Sequence, residues 1–506
     1  MSLREPFLFI GLWLISLSFY AQLPSKGWSR TVTDSIINAR SFSGHAVIQP
    51  AAGSLDSDIL AVIDSSYVAA TYQNYLKIKP LFDISGGFTQ TDKASFFGNG
   101  NAGFYLDYNN KNKLTGSIGA SYYAMDGPQY LRSFADSLRV LPGVGYNMSD
   151  SGSTPMSLFT FGHIAYKAGK YIQIEAGKGK HFWGDGHRSL VLSDLAPAYP
   201  YLRLTTRIWK IKYTNLWAMM KDISSGQDLK DARKKFVALH SLSWDVSKWL
   251  NISAFEMVVW QDRDTLSSRT LDLNYLNPVI FYRPVEFAQG SADNVLLGGG
   301  FKAKISKTVQ MYGQLVLDEF VLDRLKLRTG WWANKFGGQV GFRLFDIFTP
   351  GLHIRTEWNL VRPFTYTHGS PVQAWGHLNQ PLAHPLGANF YEWVNQVSYK
   401  FKKWSFRYEF IWAAYGRDRD ELNLGGNVFR SYRGPFRQYD NVMLQGLKST
   451  LHFSRLEVSH PISKTLGVDA YFNYGWRFEK NEFETLNEHF LQIGVRIPVN
   501  VLTTDF

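Results

Sequence analysis

The alternation of aromatic and polar side chains constrains the fold of this chain more than any other feature. Residues 404–412 read WSFRYEFIW, so every second residue is aromatic. Because successive side chains of a strand point to opposite faces, one face is an aromatic stripe and the other carries Ser405, Arg407 and Glu409. This division suits a strand between lipid and a polar interior. The pattern predicts an all-β fold, a transmembrane antiparallel β-barrel.

The same division recurs along the chain. Segments predicted as strands are 75–88, 114–123, 157–166, 171–178, 204–215, 236–244, 251–260, 294–304, 308–317, 338–345, 351–360, 392–401, 404–413, 448–458, 467–478 and 489–497. With weaker candidates beside them, and because single-chain bacterial barrels favour even strand numbers, we predict about 18 strands. Long loops are predicted at 126–156, 179–200, 261–275, 361–390 and 414–447, and these form the candidate outward-facing surface.

Composition agrees with a barrel and excludes several other classes of protein. Aromatic residues make up 16% of the chain, which suits rings facing lipid and girdling both membrane interfaces. The absence of cysteine excludes disulfides and thiol chemistry. The net charge of +12 is spread along the chain without a Lys/Arg block, so we expect no nucleic-acid partner. Spread basicity suits anionic lipopolysaccharide or an acidic glycan instead.

The two ends of the chain carry features of export and assembly. Arg4 precedes an apolar run, and residues 1–21 are predicted to be a signal peptide cut before Gln22. Residues 22–73 are expected to form a short helical periplasmic segment or plug, with an unstructured leader as the alternative, and 74–506 the barrel in the cell outer membrane. The terminal aromatic Phe506 resembles the tag that the barrel assembly machinery recognises on the C-terminal strand.

Motifs for catalysis and for metal or cofactor binding are weak. Residues 98–103, GNGNAG, match a dinucleotide fingerprint, but a strand follows them and we interpret them as a glycine-rich turn. His368, His377 and His384 share one loop at spacings that match no common ligand pattern, so we predict no metal. Asp185, His187 and Ser189 are too close in sequence to converge as a catalytic triad. We expect a protein that is not an enzyme and has no cofactor.

Two segments carry a resemblance to a known family. They are 177–203, GKGKHFWGDGHRSLVLSDLAPAYPYLR, and 271–294, LDLNYLNPVIFYRPVEFAQGSADN. At these residues the chain resembles the Wzi-type capsule assembly family of outer-membrane proteins, in a form typical of the Bacteroidota. The resemblance implies an 18-stranded barrel, a small helical periplasmic element and a lectin-like role in attaching or organising capsular polysaccharide. The segment before the barrel is short here, so the helical element is expected to be reduced.

The residues of these segments also suit sugar binding by their own chemistry. Aromatic faces stack on sugar rings, and Arg, Asn and Asp exchange hydrogen bonds with hydroxyls or carboxylates. The candidate glycan contacts are Trp183, Asp185, His187, Arg188, Asp194, Tyr199, Arg203, Tyr282, Arg283 and Glu286. The candidate lumen charges are Arg343, Arg355, Glu357, Arg407, Glu409 and Arg477. A second interpretation remains open, in which the charged residues form a buried network that fixes an inward-folded loop.

Three functions follow from these observations. The leading hypothesis is a barrel that binds surface or capsular polysaccharide and assists capsule assembly or attachment, with outer-membrane lipid and lipopolysaccharide as its surroundings. The alternative is a substrate-selective porin for small anions or oligosaccharides, since charged rows also suit diffusion of ions. The third is an accessory barrel of a secretion or gliding apparatus, whose outer loops bind protein.

Overall fold

A computed structural model describes residues 74–506, except 112, 151, 225–227, 264–268, 270–271, 279–292, 420, 434–436, 464–466 and 498–503, together with the backbone of Gln49 and Pro50. The predicted signal peptide, and the predicted helical segment apart from that backbone, lie outside the described residues. Gln49–Pro50 pairs with His181–Phe182 as a two-stranded antiparallel ladder. Among the described residues no helix has the length and hydropathy needed to cross a bilayer.

The described chain forms a closed antiparallel barrel. Its strands are β1 Tyr75–Gln90, β2 Ala94–Asn110, β3 Leu114–Met125, β4 Met156–Ala168, β5 Ile172–Gly179, β6 Tyr199–Ile208, β7 Ile211–Asp222, β8 Arg233–Asp245, β9 Leu250–Gln261, β10 Asn294–Lys304, β11 Val309–Leu317, β12 Phe336–Phe345, β13 Leu352–Val361, β14 Phe390–Phe401, β15 Trp404–Arg417, β16 Leu447–Ser463, β17 Val468–Lys480 and β18 Thr485–Ile497.

Each barrel strand pairs with its neighbours in sequence, and β18 returns to β1 with Phe82 opposite Ile497. Closure matters because an open sheet edge would leave backbone polar groups without partners in lipid. The barrel has 18 strands, which confirms the predicted strand number. Among the described residues two α-helices lie outside the sheet, α1 at Gln129–Leu138 and α2 at Leu322–Lys326.

Two local predictions were wrong. Segment 204–215, predicted as one strand, contains the turn between β6 and β7 at Trp209 and Lys210. Trp209 adopts a φ of 54°, which its strand-favouring side chain did not signal. Residues 98–103, predicted as a turn, lie inside β2. Its glycines allow close approach of the backbone of β3, since a Cβ on Gly103 would lie 2.0 Å from the Ala120 carbonyl oxygen.

The aromatic stripe faces outward, as predicted. Trp404 and Tyr408 are 46% and 42% exposed, whereas Glu409, on the opposite face of the same strand, is 2% exposed. On β13, Trp358 points out and Glu357 points in. Exposed rings also lie near the short turns at one end of the barrel, namely Tyr108, Tyr171, Trp209, Trp249 and Phe348. Such a belt is typical of a membrane interface.

The two ends of the barrel differ in the length of their connections. At one end the turns are short, such as 209–210 and 402–403. At the other end the loops are long: 126–155, 180–198, 262–293, 318–335, 362–389 and 418–446. Long loops face the cell exterior in outer-membrane barrels, so we call this end the outer rim. The loop at 318–335 was not predicted, because its sequence keeps several apolar and aromatic residues.

Two long loops occupy part of the barrel interior, and the alternation alone did not predict whether the interior is open or plugged. Loops 180–198 and 362–389, called the first and second inserted loops, fold inward and pack on each other. Leu190, Val191 and Trp375 are fully buried in a cluster that also includes inward residues of the wall. Burial of each such side chain contributes about 1.5–3 kcal/mol, so this contact holds both loops inside.

Helix α1 occupies another sector of the interior. Its first backbone N–H groups, on Gln129 and Tyr130, donate to the Glu488 carboxylate at 2.6 and 3.1 Å. A carboxylate at a helix N-terminus satisfies donors that have no partner within the helix. The Tyr130 ring then contacts Phe453, Phe490 and Phe506. The helix is therefore anchored to the wall and to the end of the chain.

Candidate functional site

The first inserted loop reaches the lumen through two glycines. Gly184 has a φ of +131°, and a Cβ there would lie 2.2 Å from Nε2 of Gln314. A Cβ on Gly186 would lie 2.5 Å from the Arg188 carbonyl oxygen and 2.6 Å from Oε2 of Glu357. Both positions therefore need glycine so that the loop backbone can approach the barrel wall.

Arg188 is the centre of a buried ion-pair network. Its Nε and Nη2 donate to Glu392 at 3.0–3.4 Å, and its Nη1 donates to Asp505 at 3.1 Å. The side chain of Arg188 is 3% exposed. Burial alone would lower the pKa of Arg188, but Asp505 and Glu392 raise it, so the guanidinium stays charged. A buried cation is tolerated because its neighbours supply both charge and acceptors.

Glu357, on β13, holds the backbone of the same loop. Its carboxylate accepts from the backbone N–H groups of His187 and Arg188 at 2.7 and 3.0 Å. It also accepts from the Tyr312 hydroxyl at 2.7 Å and from the Asn359 amide at 2.9 Å. Four donors satisfy a carboxylate that is fully buried. The network therefore positions the loop backbone as well as its side chains.

The end of the chain closes the network from the other side. His187 Nε2 donates to Asp505 at 2.6 Å, and its Nδ1 accepts from Gln396 at 3.0 Å. Burial would raise the pKa of the Asp505 carboxyl, but Arg188 and His187 hold it well below its usual range. Phe506 lies beyond β18 and contacts Tyr130 and Phe134 inside the barrel. Its role as an assembly tag stays a prediction.

A cation site is poorly supported by this geometry. His187, Glu409 and Asp505 bring ligand atoms within 4.8 Å of one another. However, Arg455 already donates to Glu409 at 3.0 Å, and Arg188 to Asp505 at 3.1 Å. Two guanidinium charges at the same carboxylates would repel a divalent cation, so the cluster is an ion-pair network.

The three histidines of the second inserted loop have separate partners. His377 Nδ1 accepts from the Lys221 backbone N–H at 3.0 Å, and burial lowers its pKa to about 3. His384 contacts Glu392 at 2.7 Å. His368 packs edge-on against Tyr432, and burial lowers its pKa to about 4. They therefore act as neutral packing and hydrogen-bonding groups.

The residues weighed as a triad also have separate partners. Ser189 Oγ donates to the Trp183 carbonyl oxygen and accepts from the backbone N–H groups of Val191 and Leu192. Asp185 pairs with Lys302 at 2.9 Å. His187 meets Asp505 rather than Ser189. All three fix the loop in place.

The predicted glycan contacts that the structure describes are mostly internal. Trp183 is 2% exposed and packs edge-on against Phe255, so its ring faces are covered. The Tyr199 hydroxyl is 3.2 Å from His181, Arg203 pairs with Glu175, and Asp194 is buried beside Lys180. These positions fit the second interpretation, a network that fixes an inward-folded loop. Tyr282, Arg283 and Glu286 lie outside the described residues.

The predicted lumen charges do point inward. Arg343 donates to Gln310 at 2.9 Å and Arg355 to Gln396 at 3.2 Å. Arg407 lies directly opposite Glu457 on the neighbouring strand. Arg477 donates to Glu479 at 2.7 Å and to the Phe506 carbonyl oxygen at 3.1 Å. The charges therefore form pairs with the wall and with the inserted segments.

Sequence reasoning missed several members of the network. Glu392 shares the inward face of β14 with Phe390 and Val394, so the alternation rule applied there would have identified it. Gln339 donates to the Arg188 carbonyl oxygen at 3.0 Å and follows from the same rule on β12. Asp505 carried no local signal, because its partners lie more than 300 residues away.

The fold and its interior define an outer-membrane β-barrel with loops inserted into the lumen. No family model matches the chain, and no curated protein matches it. A solved structure similar to it is Wzi of Escherichia coli, an outer-membrane protein described as involved in group 1 capsule assembly and as a carbohydrate-binding β-barrel. That likeness has 13% identity and a TM-score of 0.54, covering 93% of this chain and 98% of Wzi.

OprD of Pseudomonas aeruginosa is also similar, with 8% identity and a TM-score of 0.42 over 89% of this chain and 98% of that one. At 13% identity the likeness to Wzi shows a shared fold. Wzi is described as an outer-membrane protein and a β-barrel. The protein is therefore located in the outer membrane, as the alternating strands predicted.

Proposed function

We propose that the protein binds surface or capsular polysaccharide and assists capsule assembly or attachment. The observation that carries this proposal is the inserted pair of loops, fixed by Arg188, Glu357 and Glu392 inside a closed barrel. A barrel that holds two packed loops in its interior suits a surface scaffold that presents other loops at the outer rim, because binding needs preformed geometry rather than passage.

Two further observations support this proposal. The segments at 177–203 and 271–294 carry the resemblance to the capsule assembly family, and the solved barrel of similar fold is described as carbohydrate-binding. Since Trp183, Arg188 and Arg203 are buried, their contribution would be to support a binding surface from below. Direct contact with sugar remains a prediction for Tyr282, Arg283 and Glu286.

A substrate-selective porin is the second candidate, and one feature of the wall favours it. The strands β15 and β16 carry four charged side chains that face the barrel interior, namely Arg407, Glu409, Arg455 and Glu457. Charged rows of this kind line the pathways of anion-selective pores. Loops that open on a signal would expose this wall to solvent.

The test uses the purified, detergent-folded barrel and polysaccharide extracted from the surface of its host. Co-sedimentation at low and high salt should show saturable binding that weakens with salt, while an unrelated barrel of comparable size is the control. Bilayer conductance of the same preparation should show no large open steps. Absence of polysaccharide binding together with large steps would establish the porin, and absence of both would favour a protein-binding accessory barrel.

A further inference from the structure

The outer rim carries a group of aromatic rings that lies outside the Arg188 ion-pair network. Trp332 and Tyr432, from loops 318–335 and 418–446, contact each other with ring centroids 4.6 Å apart. Trp331 lies next to them, with the Arg324 guanidinium over its ring at 6.0 Å. All three rings are partly exposed. We call these three rings the rim platform.

The rim platform is held in place from below. Lys335 is fully buried and lies 5.4 Å from the Trp332 centroid and 4.8 Å from that of Tyr432. Asp318 and Glu319 pair with its ammonium group at 3.4 and 3.2 Å. A buried cation under two aromatic faces fixes the rings through cation–π attraction while its own charge is compensated.

The two loops are also joined by their backbones. The Trp332 N–H donates to the Gln438 carbonyl oxygen at 3.0 Å, and the N–H of Asn441 donates to Gly330 at 2.9 Å. Gly330 has a φ of +62°, and a Cβ there would lie 2.6 Å from the Asn441 backbone nitrogen. The rim platform is therefore preformed, so a ligand would not bear the entropy cost of ordering it.

Four exposed arginines lie on the same two loops as the rim platform. Arg324, Arg328, Arg433 and Arg437 are exposed, and within the described ranges no ion pair joins any of them to a carboxylate. The nearby acids Asp323 and Glu319 instead face Lys326 and Lys335. An anionic ligand at these loops would supply the counter-charge that these four arginines lack.

Resting on the proposed function, we infer that the rim platform is the docking site for an acidic polysaccharide. Trp331 and Tyr432 would stack on the apolar faces of sugar rings, and the guanidinium groups of Arg433 and Arg437 would bind the carboxylates of uronic acid residues in bidentate fashion. A neutral glycan would use the rings but would leave the four arginines without partners.

The experiment measures binding of the full-length folded barrel to three probes. These are the host polysaccharide, the same material after chemical reduction of its carboxyl groups, and polygalacturonate, with dextran as the neutral reference. The variants are Trp331→Ala and the double variant Arg433→Gln/Arg437→Gln. The matched control is Arg419→Gln, because Arg419 is an exposed loop arginine that pairs with Glu482 in the turn between β17 and β18. Heat-modified mobility in gels confirms that each variant is folded.

We expect carboxyl reduction to weaken wild-type binding, and each platform variant to raise the Kd for polygalacturonate about tenfold. The double variant should also reduce the salt dependence of binding, which the loss of a purely structural residue would not do. Arg419→Gln should bind as the wild type does.

The outcomes separate this inference from the proposed function. If the wild type binds host polysaccharide but neither carboxyl reduction nor the platform variants change binding, the proposed function stands and this inference is wrong. If polygalacturonate binds through the rim platform while host polysaccharide does not, the acidic-glycan site stands and the capsule role fails. If nothing binds, both are wrong.

Discussion

The Arg188 guanidinium, carried into the barrel by a loop from the outer rim, donates to both carboxylate oxygens of Glu392 on the wall. The pair joins two segments separated by 204 residues and is almost completely buried. Removal of one partner of such a pair leaves an uncompensated charge in a medium of low polarity, which costs much more than the pair itself contributes. This asymmetry makes the network testable.

Arg188→Ala should lower the free energy of unfolding by about 3–5 kcal/mol, because Glu392 and Asp505 would stay buried without their cation. Denaturant titration in detergent, followed by tryptophan fluorescence, measures this. Arg419→Ala is the matched control. Its ion pair with Glu482 is 2.7 Å long, but both side chains are about half exposed, so the expected loss is at most about 1 kcal/mol. Equal losses in the two variants would contradict the buried network.

Gly186→Ala should displace the first inserted loop, because the added Cβ meets the Arg188 carbonyl oxygen and Glu357 at less than 3 Å. We expect a loss of about 1–3 kcal/mol and larger conductance steps in planar bilayers. Gly98→Ala is the control, since a Cβ there meets nothing within 4 Å. Unchanged conductance in Gly186→Ala would show that the loop does not control access to the lumen.

Acidification should loosen the second inserted loop. Burial lowers the pKa of His377 to about 3 and that of His368 to about 4, both below the ordinary value of 6.5. As the pH falls, these histidines therefore bind protons in the unfolded loop before they do so in the folded loop. The stability that comes from keeping both histidines neutral is complete above about pH 6.5 and is lost as the pH falls. At pH 5 each histidine would lower the free energy of unfolding by about 2 kcal/mol relative to neutral pH.

Hydrogen exchange of peptides from 362–389, corrected for intrinsic rates, should therefore accelerate between pH 7 and pH 5. In His377→Asn the acceleration should be smaller, because the side-chain oxygen of Asn accepts the Lys221 N–H without titrating. His489→Asn, on the barrel wall beside Tyr474, is the control. Exchange that does not change with pH in the wild type would refute the assignment of these histidines as neutral groups.

A charged residue on the outward face of β13 should destabilise the barrel. Trp358 is 42% exposed and stacks on Trp393 with centroids 6.3 Å apart. Trp358→Arg would place a guanidinium against lipid and should lower folding stability in vesicles by about 2–4 kcal/mol. Trp358→Phe keeps an apolar ring and should cost less. A well-tolerated arginine would show that this face does not meet acyl chains.

The sequence alone determined the barrel and the direction of its faces, whereas the strand number also needed the preference of such barrels for even numbers. These follow from a local rule, because the period of two between side chains is set by the strand backbone and repeats in every strand. The rule places Arg355, Glu357 and Glu409 inside and Trp404 outside without knowledge of any partner. The same rule would have found Glu392.

Tertiary structure decided what fills the interior and therefore which predicted contacts are accessible. The sequence of the first inserted loop is compatible with a surface that binds sugar, yet its Trp183 and Arg188 are buried by residues from β9, β14 and the end of the chain. Long-range packing sets such burial, and no local pattern encodes it. The rim platform was missed for the same reason, since Trp332 and Tyr432 become neighbours only when two distant loops meet at the rim.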